Sequence, residues 1–107
     1  MTTSPVSVIK VKPYLSGVQE WALHDHVKAA IEREEIRFAL DFAGLSYINS
    51  RGIGVIAACV KAARDAGGDL VLFGLSETIE KLFHISGMHR VIDILPDEAG
   101  ARARLTA

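Results

Sequence analysis

Apolar residues along this chain switch repeatedly between the spacing of β-strands and the spacing of α-helices. Four short stretches are alternately or continuously apolar and are predicted as strands: residues 6–11, 38–42, 70–73 and 91–94. After each of the first three strands the apolar residues follow helical spacing, in the order Leu23, Val27, Ala30 and Ile31 within residues 21–35, then Ile53, Ile56, Val60 and Ala63, then Ile79, Leu82 and Phe83. After the fourth strand we expect a C-terminal helix with Leu105 pointing inward. This alternation predicts an α/β fold, a small and mainly parallel sheet flanked by helices. Parallel neighbours imply right-handed crossovers, whereas the strand order does not follow from the sequence.

Residues that favour helix ends indicate where three of these helices begin and stop. Ser50 is the predicted N-cap of the second helix and the glycine pair at 67–68 its stop, because serine accepts hydrogen bonds from free N–H groups and glycine tolerates left-handed backbone. By the same reasoning Ser76 caps the third helix, which stops at Gly87. Asp97 is the predicted cap of the C-terminal helix.

A loop is expected over residues 43–50, between the second strand and the second helix. Leu45, Tyr47 and Ile48 are the large apolar and aromatic residues of this loop, and we expect all three to pack inward.

Charge and cysteine content exclude several classes of protein. The length of 107 residues predicts a single domain over 1–107. With 12 basic and 13 acidic side chains the net charge is −1, so the chain lacks the excess of positive charge that attracts nucleic acid or an anionic membrane. The longest apolar run, residues 53–60, is far shorter than the roughly 20 residues of a membrane span. Residues 1–6 lack the pattern of a signal peptide, and Cys59 has no partner for a disulfide. We therefore expect a cytoplasmic domain.

Motifs for catalysis or cofactor binding are weak. Residues 52–57 formally match the dinucleotide fingerprint G-x-G-x-x-G/A, but a loop separates them from their strand, and no acidic residue ends the next strand. His24 and His26 do not face each other on a helix, so they do not predict a metal site. Cys59 lies in an apolar run and is predicted to be a core residue. We therefore expect no catalytic residue, metal or cofactor.

Ser50 has two interpretations from physical chemistry. As an N-cap it would stabilise its helix by about 1 kcal/mol. A hydroxyl at a helix N-terminus is also a position where a phosphate is tolerated, because free N–H groups and the positive end of the helix dipole favour an anion.

Several segments together resemble one known family. The chain reads LDFAGLSYINSRGIGVI at residues 40–56, GGDLVL at 67–72 and EKLFHISGM at 80–88. In this order they resemble the STAS domain, specifically the bacterial anti-anti-sigma factors (anti-sigma factor antagonists), whose signature places an aspartate and a serine before a glycine-rich helix start. The resemblance covers residues 36–94 and implies a small β-sheet flanked by helices.

The resemblance implies a phosphorylation switch. In this family the serine after the motif's aspartate is phosphorylated by an anti-sigma factor that is itself a serine kinase of the GHKL type, and a PP2C-type phosphatase reverses the reaction. The unphosphorylated form binds the anti-sigma factor and releases the sigma factor. Carried over by position, Ser50 is the phosphoacceptor, and the implied partner-binding residues are Tyr47, Asn49, Ser50, Arg51, Gly52 and Gly54.

Three departures from the family pattern are evident. Asn49 stands where the family favours aspartate, and Arg51 stands where it favours a small residue. Residues 17–20 replace the family's G-x-L-D, so the N-terminal third is divergent.

Two alternative functions remain open. The chain is alternatively a STAS scaffold, or a subunit of a stress-sensing or transport complex, without a phosphorylation switch. A third hypothesis is a small-molecule binding domain that uses the loop before Gly52 as its pocket, because open α/β sheets bind ligands beyond the C-terminal ends of their strands.

Overall fold

The alternating elements form one parallel sheet covered by helices on both faces. A computed structural model of the chain describes residues 5–11 and 20–106. The strands are Val6–Lys10 (β1), Arg37–Asp41 (β2), Asp69–Phe73 (β3) and Ile94–Leu95 (β4), and the helices are Glu20–Glu32 (α1), Ser50–Asp65 (α2), Glu77–Ile85 (α3) and Glu98–Thr106 (α4). The strands lie in the order β1-β2-β3-β4, and every neighbouring pair is parallel. The predicted fold class is therefore confirmed.

Three helices share one face of this sheet. When parallel strands follow one another in sequence order, each right-handed crossover places its helix on the same side. The larger core accordingly contains buried side chains from α1, α2 and α3, packed on alternate residues of β2 and β3: Leu23, Val27, Ile56, Cys59, Val60, Ile79 and Phe83 on the helices, and Phe38, Leu40, Leu70 and Leu72 on the strands.

The opposite face is covered by α4, which follows the last strand and is not a crossover. Ala101 and Leu105 of α4 pack on Ala39, Val71 and Phe73, the strand residues that point away from the larger core. Both faces of β3 are therefore buried, as its continuous apolar sequence predicts. Among the helices of the described ranges, none has the length and apolar character that crossing a bilayer requires.

Two elements differ from their predicted bounds by three residues at one end. Helix α1 ends at Glu32, three residues before the predicted end, because Glu34 adopts left-handed backbone with φ of 65°. The last strand is only Ile94–Leu95, because Met88–Arg90 form a 3₁₀ turn and the chain first meets β3 at Asp93, whose carbonyl accepts a hydrogen bond from the N–H of Leu72 at 3.0 Å. Ile92 is still fully buried, so its apolar character reflects packing rather than strand formation.

Two predicted caps are confirmed. The Ser76 hydroxyl accepts a hydrogen bond from the N–H of Ile79 at 3.2 Å, and an Asp97 carboxylate oxygen accepts one from the N–H of Gly100 at 2.8 Å. Helix α3 is followed by Gly87 in left-handed backbone, with φ of 80°. The departure from the family pattern at residues 17–20 lies just before α1, and residues 17–19 are outside the described ranges.

A cluster of ion pairs connects α2, β3 and α4 at the beginning of β3. The Asp69 carboxylate accepts hydrogen bonds from the N–H of Leu70 at 2.8 Å, from Arg64 Nε at 3.0 Å and from Arg104 Nη2 at 2.9 Å. Arg104 also donates to Asp93 at 2.6 Å. Partial burial disfavours the charged form of Asp69, but these hydrogen bonds outweigh it and lower the pKa of its carboxyl.

We expect Asp69→Asn to lower the free energy of unfolding at pH 7 by about 1–2 kcal/mol, because two arginines lose a charged acceptor. The contribution of a carboxylate with a lowered pKa is fully present above its unfolded pKa of about 4 and is lost as the pH falls through the folded value. Urea titrations from pH 7 to pH 3 should therefore show the difference between variant and wild type shrinking in acid.

Asp65→Asn is the matched control. Asp65 pairs with the exposed Lys61 at 2.8 Å, four residues earlier on α2, and exposed pairs contribute about 0.5 kcal/mol or less. Equal destabilisation by the two substitutions would contradict a special role for the Asp69 cluster.

Candidate functional site

The connection from β2 to α2 is an ordered loop. An Asp41 carboxylate oxygen accepts a hydrogen bond from the N–H of Ala43 at 2.8 Å, and the N–H of Leu45 donates to the carbonyl of Phe42 at 3.0 Å. Gly44 lies within this turn with φ of 85°, a conformation that glycine adopts without steric cost. The loop therefore leaves the end of β2 in a defined direction.

Leu45 and Ile48 fix the loop to the core, and Tyr47 does not. Both aliphatic side chains are buried as predicted, whereas Tyr47 is 64% exposed. The prediction that Tyr47 packs inward is wrong, because two anchors three residues apart turn the intervening side chains towards solvent. Tyr47 therefore presents an aromatic ring on the surface next to the start of α2.

The N-cap of α2 is Asn49, and the prediction of Ser50 is wrong by one residue. Asn49 has extended backbone, with φ of −116° and ψ of −179°, and its Oδ1 accepts a hydrogen bond from the N–H of Gly52 at 2.9 Å. Its carbonyl accepts from the N–H of Ile53 at 3.0 Å, the first bond of the helix. Asparagine is as good a cap as serine, so the residue that begins the turn takes this role.

Ser50 is thereby released from capping and becomes the first residue of α2. Its side chain is exposed, and within the described part of the chain its hydroxyl makes no hydrogen bond. It lies at the positive end of the α2 dipole, in a first turn that contains no acidic residue. The hydroxyl is thus accessible to another protein in surroundings that favour an added negative charge.

The two glycines of the first turns have different surroundings. A Cβ on Gly52 would lie 2.8 Å from Cγ1 of the buried Ile48, so the fold requires glycine there. A Cβ on Gly54 would meet nothing within 4 Å, and its backbone is ordinary helix. Gly54 follows Ser50 by four residues and shares its helix face. Nothing in the fold therefore requires glycine at position 54.

Helix α3 completes the surface around Ser50. Phe83 of α3 packs edge-on against Phe42 at the end of β2, with ring centroids 5.9 Å apart. An open groove of about 310 Å³ lies between the loop and α3, and it is lined by Tyr47, Ile48, Asn49, Ser50, Ile53, Leu82, Ile85 and Ser86.

The groove contains three of the predicted partner-binding residues. Tyr47, Asn49 and Ser50 line it, whereas Gly52 is buried under the loop and neither Arg51 nor Gly54 is among the lining residues. Arg51 is exposed on the first turn of α2.

Ile85 is a groove residue that sequence reasoning missed. It is 75% exposed, although it belongs to a helix whose apolar face is otherwise buried. The sequence did contain a signal for this, namely the position of Ile85 around the helix. Ile85 follows the buried Ile79 by six residues, and this spacing places it well off the buried face.

Other candidate chemical groups are structural or dispersed. Cys59 is confirmed as a core residue, and burial raises the pKa of its thiol to about 12, which opposes the thiolate form. His24 packs edge-on against Trp21, with ring centroids 5.2 Å apart. Over residues 5–11 and 20–106, histidine, cysteine and acidic side chains form no cluster of three suited to a metal ion.

Comparison with known sequences identifies relatives of one kind. The sequence model of the STAS domain matches residues 2–101. The anti-sigma-B factor antagonist of Listeria monocytogenes is 39% identical over 72 residues, which cover 64% of this chain and 63% of that protein. BtrV of Bordetella bronchiseptica, whose name is 'putative anti-sigma factor antagonist BtrV', is 34% identical over 86 residues, which cover 79% of this chain and 74% of BtrV. The matched region thus spans less than two thirds of the Listeria protein.

Solved structures share the fold at lower sequence identity. The protein TM1081 of Thermotoga maritima superposes with a TM-score of 0.81 at 19% identity, covering 99% of this chain and 86% of the other. SpoIIAA of Bacillus, in its phosphorylated form, superposes with a TM-score of 0.70 at 23% identity, covering 97% of this chain and 94% of SpoIIAA. Because the family model covers nearly the whole sequence and the fold agrees, the chain belongs to the STAS domain family, and its sequence relatives are anti-sigma factor antagonists.

Proposed function

We propose that this chain, a single STAS domain over residues 1–107, is an anti-sigma factor antagonist that acts by binding and catalyses no reaction itself. In its unphosphorylated form it binds an anti-sigma factor and so releases a sigma factor in the cytoplasm. The proposal is carried by one observation: Ser50 is exposed at the start of α2 and has no capping role, since Asn49 caps the helix. The names of the sequence relatives supply the class of partner.

The proposed switch is phosphorylation of Ser50 by an anti-sigma factor that is a serine kinase of the GHKL type, with a PP2C-type phosphatase as the opposing enzyme. A phosphate adds about −1.5 to −2 charges and three acceptor oxygens. At the N-terminus of α2 this charge is compatible with the helix dipole, so the domain can keep its fold. A partner surface complementary to a neutral hydroxyl would instead meet added bulk and an unpaired charge.

The departures at Asn49 and Arg51 are compatible with this switch. Asparagine keeps the cap that an aspartate would provide, and it leaves the first turn of α2 without an acidic side chain beside the phosphate. Arg51 adds a cation next to the phosphoacceptor, which lowers the electrostatic cost of the phosphorylated state. Both changes therefore favour the phosphorylated form of the loop.

We expect Ser50→Ala to abolish phosphorylation by the cognate kinase while preserving binding to it. The experiment incubates the purified chain with radiolabelled ATP and the anti-sigma factor kinases encoded in the same genome, and it measures both label and complex formation. Ser46→Ala is the matched control, because Ser46 is an exposed serine of the same loop and should leave labelling intact. Labelling that persists in Ser50→Ala would remove the site assignment, and a complex insensitive to phosphorylation would favour a STAS scaffold.

We expect Gly54→Ala to stabilise the domain and weaken the complex. Alanine in a helix interior is favoured over glycine by about 0.5–1 kcal/mol, and a Cβ at Gly54 meets nothing in this chain. In the complex the same Cβ would face the partner one turn from Ser50. Thermal unfolding should show a higher midpoint, and calorimetric titration with the anti-sigma factor a weaker affinity.

Gly52→Ala is the contrasting variant for the Gly54 prediction, because here the added Cβ contacts the domain itself. Its Cβ would press on Ile48 inside the domain, so this variant should be destabilised before any partner is added. If Gly54→Ala binds as tightly as the wild type, partner approach does not explain the glycine at position 54.

A further inference from the structure

We infer that the groove between the loop and α3 is the apolar half of the docking surface, and that it takes uncharged, apolar side chains of the anti-sigma factor with Ile85 as the central contact. This inference rests on the proposed function and adds to it a second surface region and the chemistry of its occupant. Tyr47, Asn49 and Ser50 were among the partner-binding residues that the resemblance implied, whereas Ile53, Leu82 and Ile85 were not.

Exposed apolar side chains are concentrated at this groove. In the described ranges the large hydrophobic side chains with high exposure are Trp21, Tyr47, Ile85 and Val91. Tyr47 and Ile85 both line the groove, together with the half-buried Ile53 and Leu82. These four apolar residues come from two separate segments of the chain, the loop with the start of α2 and the end of α3, and they meet beside Ser50. Such a contiguous patch is typical of a protein interaction site rather than of scattered surface residues.

The exposure of Ile85 has no explanation within the fold. Helix α3 packs through Ile79 and Phe83, which are 1% and 0% exposed, and its N-cap and C-terminal turn are formed by other residues. A polar side chain at position 85 would meet the same packing requirements at lower cost in water. The isoleucine gains burial only if another molecule covers it.

The absence of charged side chains from the groove lining determines which kind of partner group can bind there. Of the groove-lining residues in the described part of the chain, none carries a charged side chain. A charged partner group would lose its hydration there without an opposite charge, whereas an apolar group would gain burial against Tyr47 and Ile85. The occupant is therefore apolar, and about 310 Å³ of open volume accommodates side chains rather than a whole helix.

The same neutrality accounts for sensitivity to phosphorylation. Ser50 lines this groove, so a phosphate on it would place about −1.5 to −2 charges where an apolar side chain must dock. Burying that anion against apolar groups is unfavourable, because it loses water and the described residues that line the groove offer it no opposite charge. The groove thus links one covalent change at Ser50 to the loss of contacts at Ile85, with no movement of the fold.

The test compares Ile85→Ser with the wild type in binding to the anti-sigma factor kinase that labels Ser50. We expect affinity to fall about tenfold or more, as for truncation of a central interface side chain, and the change in heat capacity on binding to become less negative. In the kinase assay the KM for this chain should rise while kcat is unchanged, because the Ile85 side chain has no group that takes part in phosphoryl transfer and only positions the complex.

Two further variants control for folding and for general hydrophobicity. Val91→Ser removes another exposed apolar side chain outside the groove and should leave the affinity within about twofold of the wild type. Ile85→Val should restore most of the affinity, and all three variants should keep the thermal midpoint of the wild type because neither side chain belongs to the core.

The outcomes separate this inference from the proposed function. If the wild type binds the kinase and Ile85→Ser binds equally well, the apolar groove is not part of the interface, and the proposed function stands. If Ile85→Ser and Val91→Ser weaken the complex equally, the effect is one of general surface hydrophobicity, and the inference is wrong. If the wild type binds no anti-sigma factor of its own genome, both the proposed function and this inference are overturned.

Discussion

The consecutive order of four parallel strands is the constraint on which the rest of this structure depends. Each crossover between neighbouring strands returns on the same side, so α1, α2 and α3 cover one face of the sheet. The other face, with Ala39, Val71 and Phe73, would be open to water without α4. A helix of nine residues therefore completes the second core, and the Asp69 ion-pair cluster holds it to the beginning of β3.

The same arrangement creates the candidate site. Helices α2 and α3 share a face and adjoin the end of β2, where Phe42 and Phe83 pack edge-on. The buried side chains of Leu45 and Ile48 anchor the loop before α2 to the core. The residues between these two anchors and directly after them are therefore exposed. A rigid support with exposed residues suits a regulatory surface, since little order has to be gained when a partner binds.

In the proposed switch, Asn49 caps α2 and Ser50 accepts the phosphate, two roles that one residue could have combined. If Ser50 were the cap, its hydroxyl would bond to the backbone, and its modification would disturb the start of α2. With Asn49 as the cap, the hydrogen bond to Gly52 does not depend on the chemical state of Ser50. A phosphorylation switch at Ser50 could then change the surface of the domain while leaving its stability nearly unchanged.

Much of this molecule follows from local sequence signals. The periods of apolar residues predicted all eight elements to within a few residues, and the caps at Ser76 and Asp97 follow from short-range hydrogen bonding. The motif at residues 40–56 also indicated the family, which the comparisons confirm. The error at the start of α2 is a shift of one residue between two good caps, whereas the last strand begins three residues later than predicted because a 3₁₀ turn precedes it.

The sequence by itself determined the alternation of strands and helices, most of the apolar faces of the helices and the position of Ser50 at a helix start, because these depend on spacing within a few residues. Only the tertiary structure decided the order of the strands, the outward direction of Tyr47 and the meeting of Ile85 with Ser50 in one groove. These features depend on contacts between residues far apart in the chain, and no local preference for strand, helix or turn specifies which distant side chains become neighbours.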